Sequence, residues 1–227
     1  MEIKTDAYKK DGMFLHFANG DFLDLSRDNI KAISDEWWNN PEKIPPKIRE
    51  KEYFKTCSVC PYRGQNVFCS AMKPLLPFLE KMNNFASYDE VTAVYVKNKD
   101  DSTIYVSDTK VQYALQYVVN MSIFEYCEDA KQFKEYFRGI MPFMKTEEIV
   151  SLVFLNLYWF FKGDKRKMKA EIERMNFDIT NTTSSCVKRL NLLSSSDAFM
   201  NAYINTQTNV ALLLPRLQNL WSTLDQS

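Results

Sequence analysis

The chain has 227 residues, 45% of them hydrophobic and 14% aromatic, with 29 Lys plus Arg against 29 Asp plus Glu. That supplies a sizeable core for one large domain or two small ones and argues against global disorder. The balanced charge offers no global field to collect nucleic acid or an anionic membrane. The single dense basic run, Lys162, Lys165, Arg166, Lys167 and Lys169, reads as a solvated helix face.

Scarcity narrows the functions further. The five glycines stand singly, so no glycine-rich loop can bring backbone amides against a phosphate. His16 is the only histidine, and any Ser–His or Cys–His chemistry would have to run through it. The opening residues 1–11 carry no apolar stretch of signal-peptide type. The most apolar segment, 150–161, has 12 residues, short of the about 20 that a bilayer span needs. The expectation is a cytoplasmic protein whose five cysteines are thiols rather than disulfides.

In chain order, residues 13–18 and 21–25 alternate in polarity around Asn19-Gly20, which predicts a β-hairpin. Residues 26–50 are polar, carry Trp37-Trp38 and then Pro41, Pro45 and Pro46, and read as an irregular connector anchored by the tryptophans. A helix is expected over 70–83, regular from Pro74 onward because a first turn tolerates proline. Residues 87–98 and 103–106 read as two strands around an Asp100-Asp101 turn. Thr109-x2-Gln112 has capping-box form and opens a helix to 126 with Val111, Ala114, Leu115, Val118 and Val119 on one face.

Thr146, Glu147 and Glu148 begin an apolar helix ending at Gly163, whose Tyr158-Trp159-Phe160-Phe161 run is expected to be packed on all sides. Helices over 164–176, 178–193 and 197–214 follow, the last capped by Asp197. The fold class is therefore α+β and mostly helical, in a single domain over 1–227. Its parts are a hairpin plus connector (1–50), a cysteine knuckle with a strand pair (51–108) and a bundle-like helical body (109–227).

The chemistry-bearing motif is Cys57-x2-Cys60-x8-Cys69, with Cys127 far downstream and Cys186 further on. Two cysteines three apart point at one cation when the backbone between them turns tightly, and Pro61 and Gly64 favour such a loop. Tetrahedral zinc needs a fourth ligand, for which Cys127 at the end of its helix is the better choice and His16 the fallback. An iron–sulfur cluster competes, since four cysteines suffice and Cys60-Pro61 fits ferredoxin-type sequences. A redox-active thiol pair is a further reading. An open three-cysteine site would be catalytic, with Glu125 or Glu128 as acid/base. Cys186 reads as a packing residue.

Cys57-x2-Cys60-Pro61, Cys69, Leu75, Leu79, Phe85, Ser87-Tyr88-Asp89 and Val91 together resemble an uncharacterised bacterial family, a domain of unknown function. The resemblance runs on through Cys127, Arg138, Pro142-Phe143, Glu147-Glu148, Asp197-Ala198 and Asn201-Ala202. It implies a cysteine-rich knuckle ahead of a short strand pair and a helical body, with a four-cysteine set and no assigned activity. Family members often carry a histidine just before the Pro-Phe element, where this chain has Ile140 and Met141. That departure favours a structural or binding role.

Asp197, Asn201 and Asn205 recur every four residues and read as a wet helix face, or else as a stripe for a polar ligand. Exposed Trp37-Trp38 would suit a contact surface. The expected function is a zinc-stabilised binding or regulatory module acting on a protein or small ligand. The alternative is a metalloenzyme or redox protein using Cys57, Cys60, Cys69 and Cys127.

Overall fold

The alternating segments pair as their polarity demands. The computed structural model describes residues 8–50, 57–65, 68–97 and 103–224. The Asp100-Asp101 turn and the first seven residues lie outside the described residues. Strand β1 (Gly12–Phe17) pairs antiparallel with β2 (Phe22–Ser26) through Asn19-Gly20, Gly20 taking φ +89°. Strands β3 (Glu90–Lys97) and β4 (Thr103–Lys110) also pair antiparallel, and β1 lies against β3. The hairpin and the later strand pair thus form one sheet of order β2-β1-β3-β4. Met13, Leu15 and Phe17 turn inward to the main core, whereas Phe14 meets Tyr8, Val94 and Val96 on the other face.

Residues 27–50 correct the expected connector. Arg27–Asn39 is a regular helix, α1, with Ile30, Ile33, Ser34 and Trp37 at helical spacing toward the core. The prolines come after its end and stop it rather than prevent it, and Pro46–Arg49 forms a single turn, α2. Trp37 and Trp38 pack against the core, the Trp38 ring lying 4.0 Å from that of Phe68 and under Lys73 Nζ at 4.9 Å. They are anchors and not an exposed contact surface.

The helix expected over 70–83 is mostly turns. Pro74 and Pro77 confine regular structure to a 3-10 segment (Leu76–Phe78) and one α turn, α3 (Leu79–Met82). Helix α4 (Val111–Tyr126) begins directly after β4, so Thr109 lies within a strand and Lys110 takes the N-cap position. A 3-10 segment (Ala130–Phe137) leads to α5 (Thr146–Phe160). Only one side of α5 is covered, since Tyr158, Trp159 and Phe160 are 43%, 71% and 60% exposed. The expected all-round packing of that aromatic run is therefore corrected.

Residues Lys165–Leu193 form one unbroken helix, α6, in place of two, because Met168, Ile172, Met175, Ile179, Cys186 and Leu190 continue a single buried stripe through residue 177. Helices α7 (Ala198–Ala211) and α8 (Leu213–Leu224) complete the body, which is α+β and mostly helical as expected. One apolar cluster joins side chains from Met13 to Leu217. No helix among the described residues is long and apolar enough to cross a membrane.

Asp197 does not cap α7 with its side chain. Its carboxylate instead accepts from Ser87 N at 2.7 Å, Ser87 Oγ at 2.8 Å and Asn201 Nδ2 at 3.0 Å. The turn entering β3 is thereby pinned to α7, and two of the three polar residues on this helix face serve structure. Hydrogen bonds to a charged group contribute about 1.5–3 kcal/mol, and the buried Ser87 amide would lose its partner. Asp197→Ala is expected to destabilise the protein by about 2–3 kcal/mol, read as a lower urea midpoint at unchanged slope.

Candidate metal centre

Short-range backbone turns place the knuckle thiols. Cys60 N donates to the Cys57 carbonyl at 3.1 Å and Arg63 N to the Cys60 carbonyl at 3.1 Å, so the chain doubles back between the two sulfurs. Cys69 opens the next turn, its carbonyl accepting from Met72 N at 3.0 Å and Lys73 N at 2.9 Å. That turn is tied to the body at Ala71, whose carbonyl accepts from Tyr203 Oη at 3.2 Å and from Ser122 Oγ. Cys127 is the C-cap of α4, with extended backbone (φ −70°, ψ 120°) that turns it out of the helix, and its Sγ accepts from Ala130 N at 3.5 Å.

Cys57, Cys60, Cys69 and Cys127 line one enclosed cavity of about 20 Å³, together with Thr182 and Arg189 of α6. Cys57 and Cys127 are buried, while Cys60 and Cys69 are half-buried. As the side chains stand, no group of three or more His, Cys, Asp or Glu among the described residues is gathered closely enough to hold a metal ion. The four thiols share a cavity without yet forming a closed ligand set.

The fifth cysteine lies beside this cavity. Cys186, fully buried in α6, is close enough to Cys69 for the two thiols to shift each other's ionisation. Thr182, Cys186 and Arg189 are spaced four and three apart and therefore share one face of α6. Cys186 packs in the main core as expected, and the same spacing also sets it beside Cys69. The Thr182 hydroxyl is buried with no hydrogen-bond partner at normal distance, yet it stands beside Cys57 and Cys127 closely enough to ease their ionisation.

Electrostatics divide the thiols. Burial pushes Cys57 up to about 12, and the neighbouring Cys60, Cys69 and Cys127 add to this. Burial also raises Cys127. Cys69 goes the other way, because the Cys186 S–H stabilises its thiolate and the Arg189 guanidinium lies beside it. Cys186 rises in turn, holding the proton of the pair. Burial and mutual proximity thus hold Cys57 and Cys127 protonated, while Cys69 is the thiol whose surroundings favour the thiolate.

Of the other sequence-selected residues, His16 and Glu125 lie elsewhere. His16 sits on β1, paired with Thr92 of β3, and its Nε2 is 2.6 Å from Tyr8 Oη; it lines a separate groove with Asp108 and Tyr113. It is not placed to be the fourth ligand. Glu125 pairs with Arg27 at 3.1 Å in another cleft, whereas Glu128, ion-paired with Lys131, lines the cysteine cavity. The carboxylate at the cysteine cavity with an unpaired buried oxygen is Asp129, pushed up to about 6 by burial and then by Asp178.

These features define an α+β protein with a cysteine-lined cavity enclosed by a loop knuckle, the end of α4 and one face of α6. The chain belongs to the family described as Domain of unknown function (DUF6901), which matches residues 15–224. Neither a curated protein nor a solved structure matches it.

Proposed function

We propose that Cys57, Cys60, Cys69 and Cys127 bind one zinc ion as thiolates, and that the protein is a zinc-stabilised binding or regulatory module. The observation that carries this reading is convergence: four cysteines, from three separated stretches of chain, line one small cavity, and Cys186 lies beside one of them, Cys69. Cysteines used as ordinary small hydrophobes have no reason to gather.

The cavity size supports zinc over a cluster. A space of about 20 Å³ accepts a single ion, since one water needs about 10–15 Å³ by the same measure. An iron–sulfur cube would require the knuckle to open. Charge fits as well: four thiolates around Zn²⁺ leave a net charge of −2, which the buried Arg189 guanidinium partly offsets. Four protein ligands leave no open coordination position, so the ion would hold the knuckle against α4 and α6 and take no part in chemistry.

Elemental analysis of protein purified without chelator tests this, alongside a spectrum of the cobalt-substituted form. The expected result is about one zinc per chain, a colourless protein, and strong tetrahedral thiolate bands with cobalt. Brown protein containing iron and sulfide would move the site to the iron–sulfur reading. Protein that takes up neither metal from supplemented medium would end the metal reading altogether.

A further inference from the structure

The polar residues of α4 have no part in the cysteine site, and they point to a second one. A cleft of about 430 Å³ lies where β4, α4, the start of α5 and α7 meet, beneath residues 140–144. Three elements turn polar side chains into it. From α4 come Tyr113, Gln116, Tyr117 and Asn120, at the spacing of one helix face; from β4 come Ser107 and Thr109, at alternate positions; from α7 come Asn205 and Thr208. Helix α4 already buries Val111, Ala114, Leu115, Val118 and Val119 on its other side. The polar residues thus occupy the opposite, partly exposed face of α4, where it borders the cleft.

Two features of the lining call for an occupant. Asn205 Nδ2 is buried and has no hydrogen-bond partner. Asn120, also in the lining, is buried and its Oδ1 accepts from Thr206 Oγ1 at 2.7 Å. Phe143, in the roof, takes φ +68°, a left-handed backbone that bulky residues adopt only when the surroundings hold them there, and such positions concentrate at ligand clamps.

The chemistry of the lining selects the ligand. Tyr113, Tyr117 and Phe143 supply flat apolar faces, and the amides of Gln116, Asn120 and Asn205 supply polar edges. The charged members, Lys145 and Glu147, have opposite signs, and no arginine or glycine-rich loop is present to receive a phosphate. Amide edges beside aromatic faces suit a planar heterocycle with carbonyl and amine edges, and the volume suits a small molecule. We propose that this cleft binds a free purine or pyrimidine nucleoside. The zero net charge of the chain argues against a polynucleotide carrying the same base.

Saturation-transfer NMR and calorimetry on the full chain test the proposal, using adenosine, guanosine, cytidine and uridine. Ribose, adenosine monophosphate and a short single-stranded oligonucleotide serve as comparisons. The expected result is saturable binding of at least one nucleoside, no tighter binding of the monophosphate, and none of ribose. Asn205→Leu and Tyr113→Ala should each weaken binding by roughly tenfold, the loss of one hydrogen bond or one stacked face. Tyr113 is 49% exposed, so its variant remains informative even where Asn205→Leu fails to fold. No saturable nucleoside binding at millimolar concentration would overturn the proposal. So would ribose or the oligonucleotide binding in the nucleosides' place, or wild-type affinity in the folded variants. The cysteine reading is untouched by any of these outcomes.

Discussion

If Cys57, Cys60, Cys69 and Cys127 hold zinc as proposed, replacing Cys57 and Cys60 together by serine is expected to abolish metal uptake and lower the thermal midpoint by about 8–16 °C. The size follows from linkage: an ion held only by the folded state, at a free concentration a thousandfold above its Kd, contributes about 4 kcal/mol. For a chain of this length each kcal/mol moves the midpoint by about 2–4 °C. A strong chelator should lower the wild-type midpoint by a similar amount and leave the double variant unchanged. The effect is large here because Cys57 and Cys127 are buried and their neutral thiols gain little from one another. Metal release should also become easier as pH falls, since protons compete for every thiolate. A variant that retains metal and melts with the wild type would rule out these two cysteines as ligands.

Gly12→Ala should be the most damaging single methyl group in the sheet. Gly12 lies on β1 between Ser26 of β2 and Val96 of β3, with φ +133°. A Cβ there would stand 2.5 Å from Ser26 Cα and 2.9 Å from Arg27 N, both backbone atoms at the junction of β2 and α1. Neither can yield cheaply, because Arg27 N donates to the Asp11 carbonyl at 2.9 Å and Ser26 is fully buried. Overpacking and the disfavoured backbone together cost about 3 kcal/mol or more, or about 6–12 °C in the midpoint. Gly20→Ala provides the comparison. Its φ is +89° but nothing lies within 4 Å, so only the conformational cost of about 1 kcal/mol applies. Differential scanning calorimetry of both variants checks the ordering; equal losses would show that the close approach at Gly12 relaxes.

Much of the local structure was legible because its signals are local. Asn19-Gly20 fixed the hairpin, and the stripe from Val111 to Val119 marked α4. The same reading failed wherever a breaker was weighed without its position. Pro41, Pro45 and Pro46 argued against structure over 26–50, although Ile30, Ile33, Ser34 and Trp37 already spelled a helix face upstream of them. At 70–83 the opposite error arose, since Pro74 and Pro77 break the helix that the apolar content suggested.

By itself the sequence determined the class, α+β with a helical body, and the identity of the cysteine motif. Residue type and spacing along one segment carry that information. Only the tertiary structure decided what the spacing faces. Cys186 was an ordinary helical residue until α6 packed beside the knuckle and set it next to Cys69. His16 was a possible fourth ligand until the pairing of β1 with β3 turned it to a different groove. Asn205 belonged to a wet stripe until α4 and α7 closed a cleft around its amide. Periodicity gives the direction of a side chain relative to its own element. Its partner is fixed by long-range packing, which no single window of sequence contains.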